Sequence, residues 1–255
     1  MIHRAQLKQE AKEVMRGATV SPYGFTLVYL LIGMVLSCLS LYASLPDTIT
    51  SVQKMQELYP YLPISALLPY LNSLPVLPSG TAIFAGVLLW LVAVVLEAGV
   101  VLYHLGVRKG KEMPFSSLFE GFGMAGRVIL LTVLESIFIM LWSMLFVIPG
   151  IVAAYRYRFA LYNLCENPDL RAMDAIRMSK AQTKGFKGAL FVLDLSFIGW
   201  DLLSGLTSGI LNIWLHPYKV QTDMGYFRAI KRIQGIGLLS DPAPDNGGEA
   251  PSAHA

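Results

Sequence analysis

The chain has 255 residues, of which 55% are hydrophobic and 15% charged, and a formal net charge of +3; its mean hydropathy is +0.54. Soluble domains carry roughly 25% charged residues, and the apolar excess here falls in blocks of about 16 to 28 residues, the length a bilayer helix needs. A water-soluble enzyme, a nucleic-acid module and a disulfide scaffold are excluded.

From the N-terminus, His3 to Arg16 sets Leu7, Ala11, Val14 and Ala18 at helical spacing with charges on the opposite face. That pattern predicts an amphipathic helix in a cytoplasmic segment, 1–20. Gly17 ends it, and Ser21-Pro22 supplies a cap and a first-turn proline for the next helix. Tyr23–Leu45 contains no Asp, Glu, Lys, Arg or His and is read as the first span. A cleaved signal peptide would have a shorter apolar core, about 7 to 15 residues.

Prolines at 46, 60, 63, 69, 75 and 78 break the following stretch, which is predicted as a partly membrane-hugging extracytoplasmic loop over 46–79. Further spans are expected at 80–107, 128–148, 151–165, 188–206 and 207–222, with a tight corner at Pro149-Gly150. Asn167-Pro168-Asp169 caps a polar cytoplasmic helix over 169–184. The small residues from Ser204 to Gly209 let the last two spans pack closely as a hairpin. The fold class is thus all-α, a polytopic membrane bundle of about six transmembrane helices. Its membrane domain covers 21–236, and a disordered tail rich in proline, glycine and aspartate follows over 237–255. Cys38 and Cys165 fall near opposite membrane faces, beyond the roughly 5.5 Å that a disulfide requires, and are expected as free thiols.

The basic residues set the orientation. Nineteen of the 20 lysines and arginines lie in the N-terminal helix, in 108–127, in 156–187 or from Lys219 onward; the other loops hold Lys54 alone. Because cytoplasmic loops retain Lys and Arg, both termini are predicted inside.

Ionisable residues at membrane depth face a bundle interior, pair, or line a wet path. At roughly 1.5 Å per residue, Glu97, Glu135 and Arg156 all lie about 13 to 15 Å from the inner ends of their spans, and Arg158 and Asp194 both about 10 Å. The arithmetic predicts that Arg156 neutralises Glu97 or Glu135 and that Arg158 neutralises Asp194. Three roles stay open for this cluster: interhelical glue, a proton or ion path extended by His104, or recognition of anionic headgroups by Arg156 and Arg158. His104, His216 and Tyr218 are candidate interfacial residues, with His216-Pro217-Tyr218 read as a helix-ending cap.

The sequence has no phosphate-cradling glycine loop, no paired His or Cys metal spacing and no G-x-S-x-G elbow. No catalytic residue, metal or cofactor is assigned, and nucleic acid is not an expected partner.

Several short motifs occur in a characteristic order: Arg4-Ala5-Gln6-Leu7-Lys8 with Ala11-Lys12, Ile148-Pro149-Gly150-Ile151, Asn167-Pro168-Asp169-Leu170 with Ala175 and Ser179, Lys184-Gly185, Leu195 to Trp200, and Pro217-Tyr218. Together they resemble an uncharacterised bacterial membrane family, domain of unknown function 975. The corner and the helix after it are more distantly similar to the membrane domain of some glycerophosphodiester phosphodiesterases, whose catalytic domain has no counterpart here. The resemblance implies a bacterial cytoplasmic-membrane protein and brings no activity. The reading is therefore a non-enzymatic scaffold or regulator acting on a protein or anionic-lipid partner at the inner leaflet, presenting helices 3–16 and 169–184. The alternative is a small-solute or ion transporter whose path is lined by the intramembrane charges.

Overall fold

The computed structural model describes residues 4–58, 60, 61, 63 and 79–237; the central part of the expected 46–79 loop, and the tail beyond Gly237, lie outside them. The described residues are helical and contain no strand. In chain order the helices are α1 (Arg4–Arg16), α2 (Pro22–Leu58), α3 (Gly80–Arg108), a 3-10 helix (Phe115–Met124), α4 (Ala125–Leu145), α5 (Val147–Tyr157), α6 (Ala160–Glu166), α7 (Ala172–Gln182), α8 (Lys187–Leu195), α9 (Ile198–Leu206) and α10 (Asn212–Gln234). The all-α bundle expected from periodicity is present. Pro22–Glu57, Gly80–Arg108 and Phe115–Leu145 are each long and apolar enough to cross a membrane, and α8 with α9, bent by 41° at their junction, make a fourth if taken as one broken span.

Local chemistry moves several expected boundaries. α2 does not stop at Leu45 but runs on through Pro46 to Leu58. Proline deletes one backbone donor, yet in an apolar setting nothing competes for the remaining backbone groups and the helix continues. Its far half is tied to the next helix: Ser79, the cap of α3, donates from its backbone N and its Oγ to Asp47 Oδ2 at 2.8 and 3.1 Å.

The expected short span 151–165 is two helices. Ser179 Oγ accepts a hydrogen bond from the Phe159 amide at 3.1 Å and donates to the Arg156 carbonyl at 2.9 Å, so a side chain of α7 takes the backbone groups at the break. The corner lies at Phe146, in extended conformation (φ −162, ψ 156), and not at Pro149-Gly150, which belong to the first turn of α5. A first-turn proline sacrifices no intrahelical bond. Gly150 is required for another reason: a Cβ there would meet Ser143 Oγ at 2.1 Å, so α4 and α5 leave no room for a side chain at this point.

The expected hairpin partner 207–222 is replaced by a turn with Ser208 and Gly209 at φ 50 and 85, followed by α10. α10 reaches twelve residues past Thr222 because protein rather than lipid covers it: Gln221, Thr222, Met224, Gly225, Tyr226, Phe227 and Ile230 are buried. Pro217 lies inside this helix, so His216-Pro217-Tyr218 does not end one. Cys38 is exposed and Cys165 buried, both as free thiols.

One face of the molecule gathers the basic segments. Arg108 at the end of α3 pairs with Glu10 of α1, Arg127 donates to the Pro168 carbonyl, Lys231 pairs with Glu166, and Gln234 donates to the Lys184 carbonyl at 3.0 Å.

Candidate functional site

Burying a charge is tolerable only if it is paired and hydrogen-bonded, and Arg158 meets that demand at the α5–α6 break. Its Nη1 and Nη2 donate to Asp194 of α8 at 2.6 and 2.8 Å, and Nη2 also reaches both carboxylate oxygens of Asp223 of α10 at 2.8 and 2.9 Å. Tyr155 OH donates to Asp194 Oδ2 at 2.7 Å. One guanidinium therefore joins three helices. Fork geometry explains the double pairing, since five N–H donors can serve two carboxylates where an ammonium could not hold both in plane.

Beside this knot lies a cavity of about 370 Å³ lined by Glu97, Glu135, Tyr157, Arg158, Tyr162 and Asp223, with apolar residues between them. Glu97 accepts a hydrogen bond from Tyr29 OH at 2.7 Å. Glu135 Oε1 is buried without a hydrogen-bond partner. Arg158 is the one basic side chain in the lining. Such a space can hold polar or cationic species between the helices. Among the described residues, no group of three or more His, Cys, Asp or Glu is arranged to hold a metal ion.

Of the five residues expected to cluster, Glu97, Glu135 and Arg158 meet in the cavity and Asp194 joins through Arg158. Arg156 does not: no ion pair links it to Glu97 or Glu135 among the described residues, and its guanidinium instead lies 5.8 Å from the centre of the Trp142 ring. Equal depth on two helices says nothing about direction around them, and Arg156 is not among the residues that line the cavity with the two glutamates.

His104, expected at the interface, is fully enclosed between α3 and α10. Gln221 Nε2 sits 3.0 Å from its Nδ1 and donates to its carbonyl at 3.1 Å. His216 stacks on Tyr29 at 5.7 Å, and Tyr218 meets Phe197 edge-on at 5.6 Å. Asp223 was missed from sequence because the last span was ended at Thr222; a lone acid in a helix facing Arg158 was the available signal.

Residues 144–234 match the family described as a protein of unknown function, DUF975. The resemblance read from the ordered motifs holds over that stretch. Arg156, Arg158, Asp194 and Asp223 lie inside the DUF975 region, whereas Glu97, Glu135 and α1 lie outside it. No curated protein and no solved structure matches the chain.

Proposed function

We propose that this is a multi-pass bacterial cytoplasmic-membrane protein with both termini in the cytoplasm, and that it organises or regulates an anionic lipid or protein partner at the inner leaflet without catalysing a reaction. The observation that carries the reading is the linked basic face. α1 is not a loose appendage: Arg108, whose side chain is 2% exposed, pairs with Glu10 and donates to the Gln221 carbonyl at 2.8 Å, fixing α1 across α3 and α10. The polar end of α10 is bonded to Glu166 of α6 and to the Lys184 carbonyl just after α7. Cytoplasmic loops are enriched in Lys and Arg, and the anionic inner leaflet attracts them. Native mass spectrometry of gently purified protein tests the idea. A stoichiometric lipid or protein, lost when Arg108→Gln frees α1, supports it; a clean chain with nothing retained overturns it.

A second reading, transport of a small solute or ion, is favoured by the cavity around Glu97, Glu135, Arg158 and Asp223. Flux in proteoliposomes that is abolished by Glu97→Gln with Glu135→Gln, in protein that still assembles, would establish it instead.

A further inference from the structure

Between α1 and the turn that joins α8 to α9 lies a second opening, a groove of about 510 Å³. One wall is cationic. Lys8, Lys12 and Arg16 of α1 line it, and none of them forms an ion pair with a carboxylate among the described residues. The opposite wall is aromatic, formed by Trp200 of α9 with Trp214 and Tyr218 of α10. Lys8 Nζ donates to Ser196 Oγ at 2.8 Å and stands 4.2 Å above the Phe197 ring; Lys12 Nζ is 5.6 Å from the Tyr218 ring centre. Partial burial, and then the neighbouring charges of Arg4 and Lys12, hold the Lys8 ammonium below the usual lysine range. Like charges have been brought together here and left without a counter-ion.

The aromatic wall does not end at the groove. One turn on from Trp200, on the same side of α9, Leu203 is 44% exposed, and Ile210 in the turn after α9 is 62% exposed, which makes an apolar flank. Tryptophan and tyrosine beside lysine and arginine, at the edge of an exposed apolar surface, is the residue set that sits at headgroup level in a bilayer.

We propose that this groove binds one anionic phospholipid, with its phosphate among Lys8, Lys12 and Arg16 and its acyl chains laid along Trp200, Trp214 and the apolar flank. The assignment rests on the inner-leaflet reading above and names its partner. A free phosphate would satisfy the cations but leave both indoles unused. An acyl chain on the aromatic wall uses both surfaces, so the occupant is the lipid.

The full chain in detergent micelles is titrated with phosphatidylglycerol brominated on its acyl chains, with brominated phosphatidylcholine as the neutral control, and tryptophan quenching is read. The site predicts quenching at lower lipid content for phosphatidylglycerol, lost in Trp200→Phe with Trp214→Phe although Trp90 and Trp142 remain. Lys8→Gln with Lys12→Gln should weaken the apparent Kd about twenty- to thirtyfold, since each basic side chain near an anionic surface is worth about fivefold. Lys12→Arg should restore most of the loss in a single-site comparison, and an unchanged Tm certifies the fold of each variant. Equal quenching by both lipids, quenching indifferent to the lysines, or displacement of the lipid by millimolar inorganic phosphate would overturn the proposal. If native mass spectra of the lysine variant still retain the wild-type partner, this groove is wrong and the inner-leaflet reading stands. If the wild type retains nothing, both fall.

Discussion

The cavity at Arg158 and the groove beside α1 both draw on α10, yet they treat charge in opposite ways. In the cavity wall a single guanidinium is matched by two carboxylates and the acids outnumber the base. In the groove three cations stand with no carboxylate among the described partners. Desolvation explains the difference. An enclosed guanidinium such as Arg158 needs carboxylates from its own protein, whereas an open cation is stabilised by whatever the surroundings supply. Pairing therefore marks structure, and its absence beside an apolar wall marks a place for something else.

The contrast is broken most severely at Arg158. Arg158→Leu strands Asp194 and Asp223 and is expected to cost about 3 kcal/mol, the lower end for a broken buried pair because a fifth of the side chain is exposed. A fall in Tm in detergent, partly recovered by adding Asp223→Asn, checks this. Gly150→Ala should cost about 1 to 3 kcal/mol through overpacking on Ser143. Ser143→Gly should relieve it, and the double-variant Tm reads the coupling. Arg108→Gln removes a charged hydrogen bond to Glu10 that is half exposed on the acid's side, so the expected loss is about 1.5 kcal/mol. The sharper readout is earlier proteolytic cleavage in α1. Arg156→Gln, two residues from the knot, should move Tm least, by under about 1 kcal/mol, because it gives up a ring contact at 5.8 Å and no ion pair. Comparable losses at Arg156 and Arg158 would erase the distinction between paired and unpaired arginines.

Periodicity and composition made the bundle legible: α1, α3 and the start of α2 lie where apolar spacing and the Ser-Pro signal put them. Depth arithmetic also put Arg158 level with Asp194, and the two are bonded. The same arithmetic failed for Arg156, because residues two apart on a helix point about 200° apart and depth carries no azimuth. Pro46 and Pro149-Gly150 were read as breaks from local propensity, while lipid-like surroundings and first-turn placement let the helices pass through them. The groove was beyond reach for a different reason. Its two walls are about 190 residues apart in the chain, and only the packing of α1 along α10 brings lysines and tryptophans together.

The length of α2 has a mechanical consequence. Its 37 residues rise about 55 Å at about 1.5 Å each, against a hydrocarbon core of about 30 Å. Lying wholly within that core would take a tilt of about 57°, outside the range of about 0 to 40° found for such helices. Part of α2 must therefore stand clear of the acyl chains, and its sequence nominates the end carrying Asp47, Gln53, Lys54 and Glu57. The bond between Asp47 and Ser79 then works as a depth gauge. A bilayer thick enough to reach it would press hydrocarbon against a carboxylate, so the molecule resists sinking and carries a preferred membrane thickness in its own length.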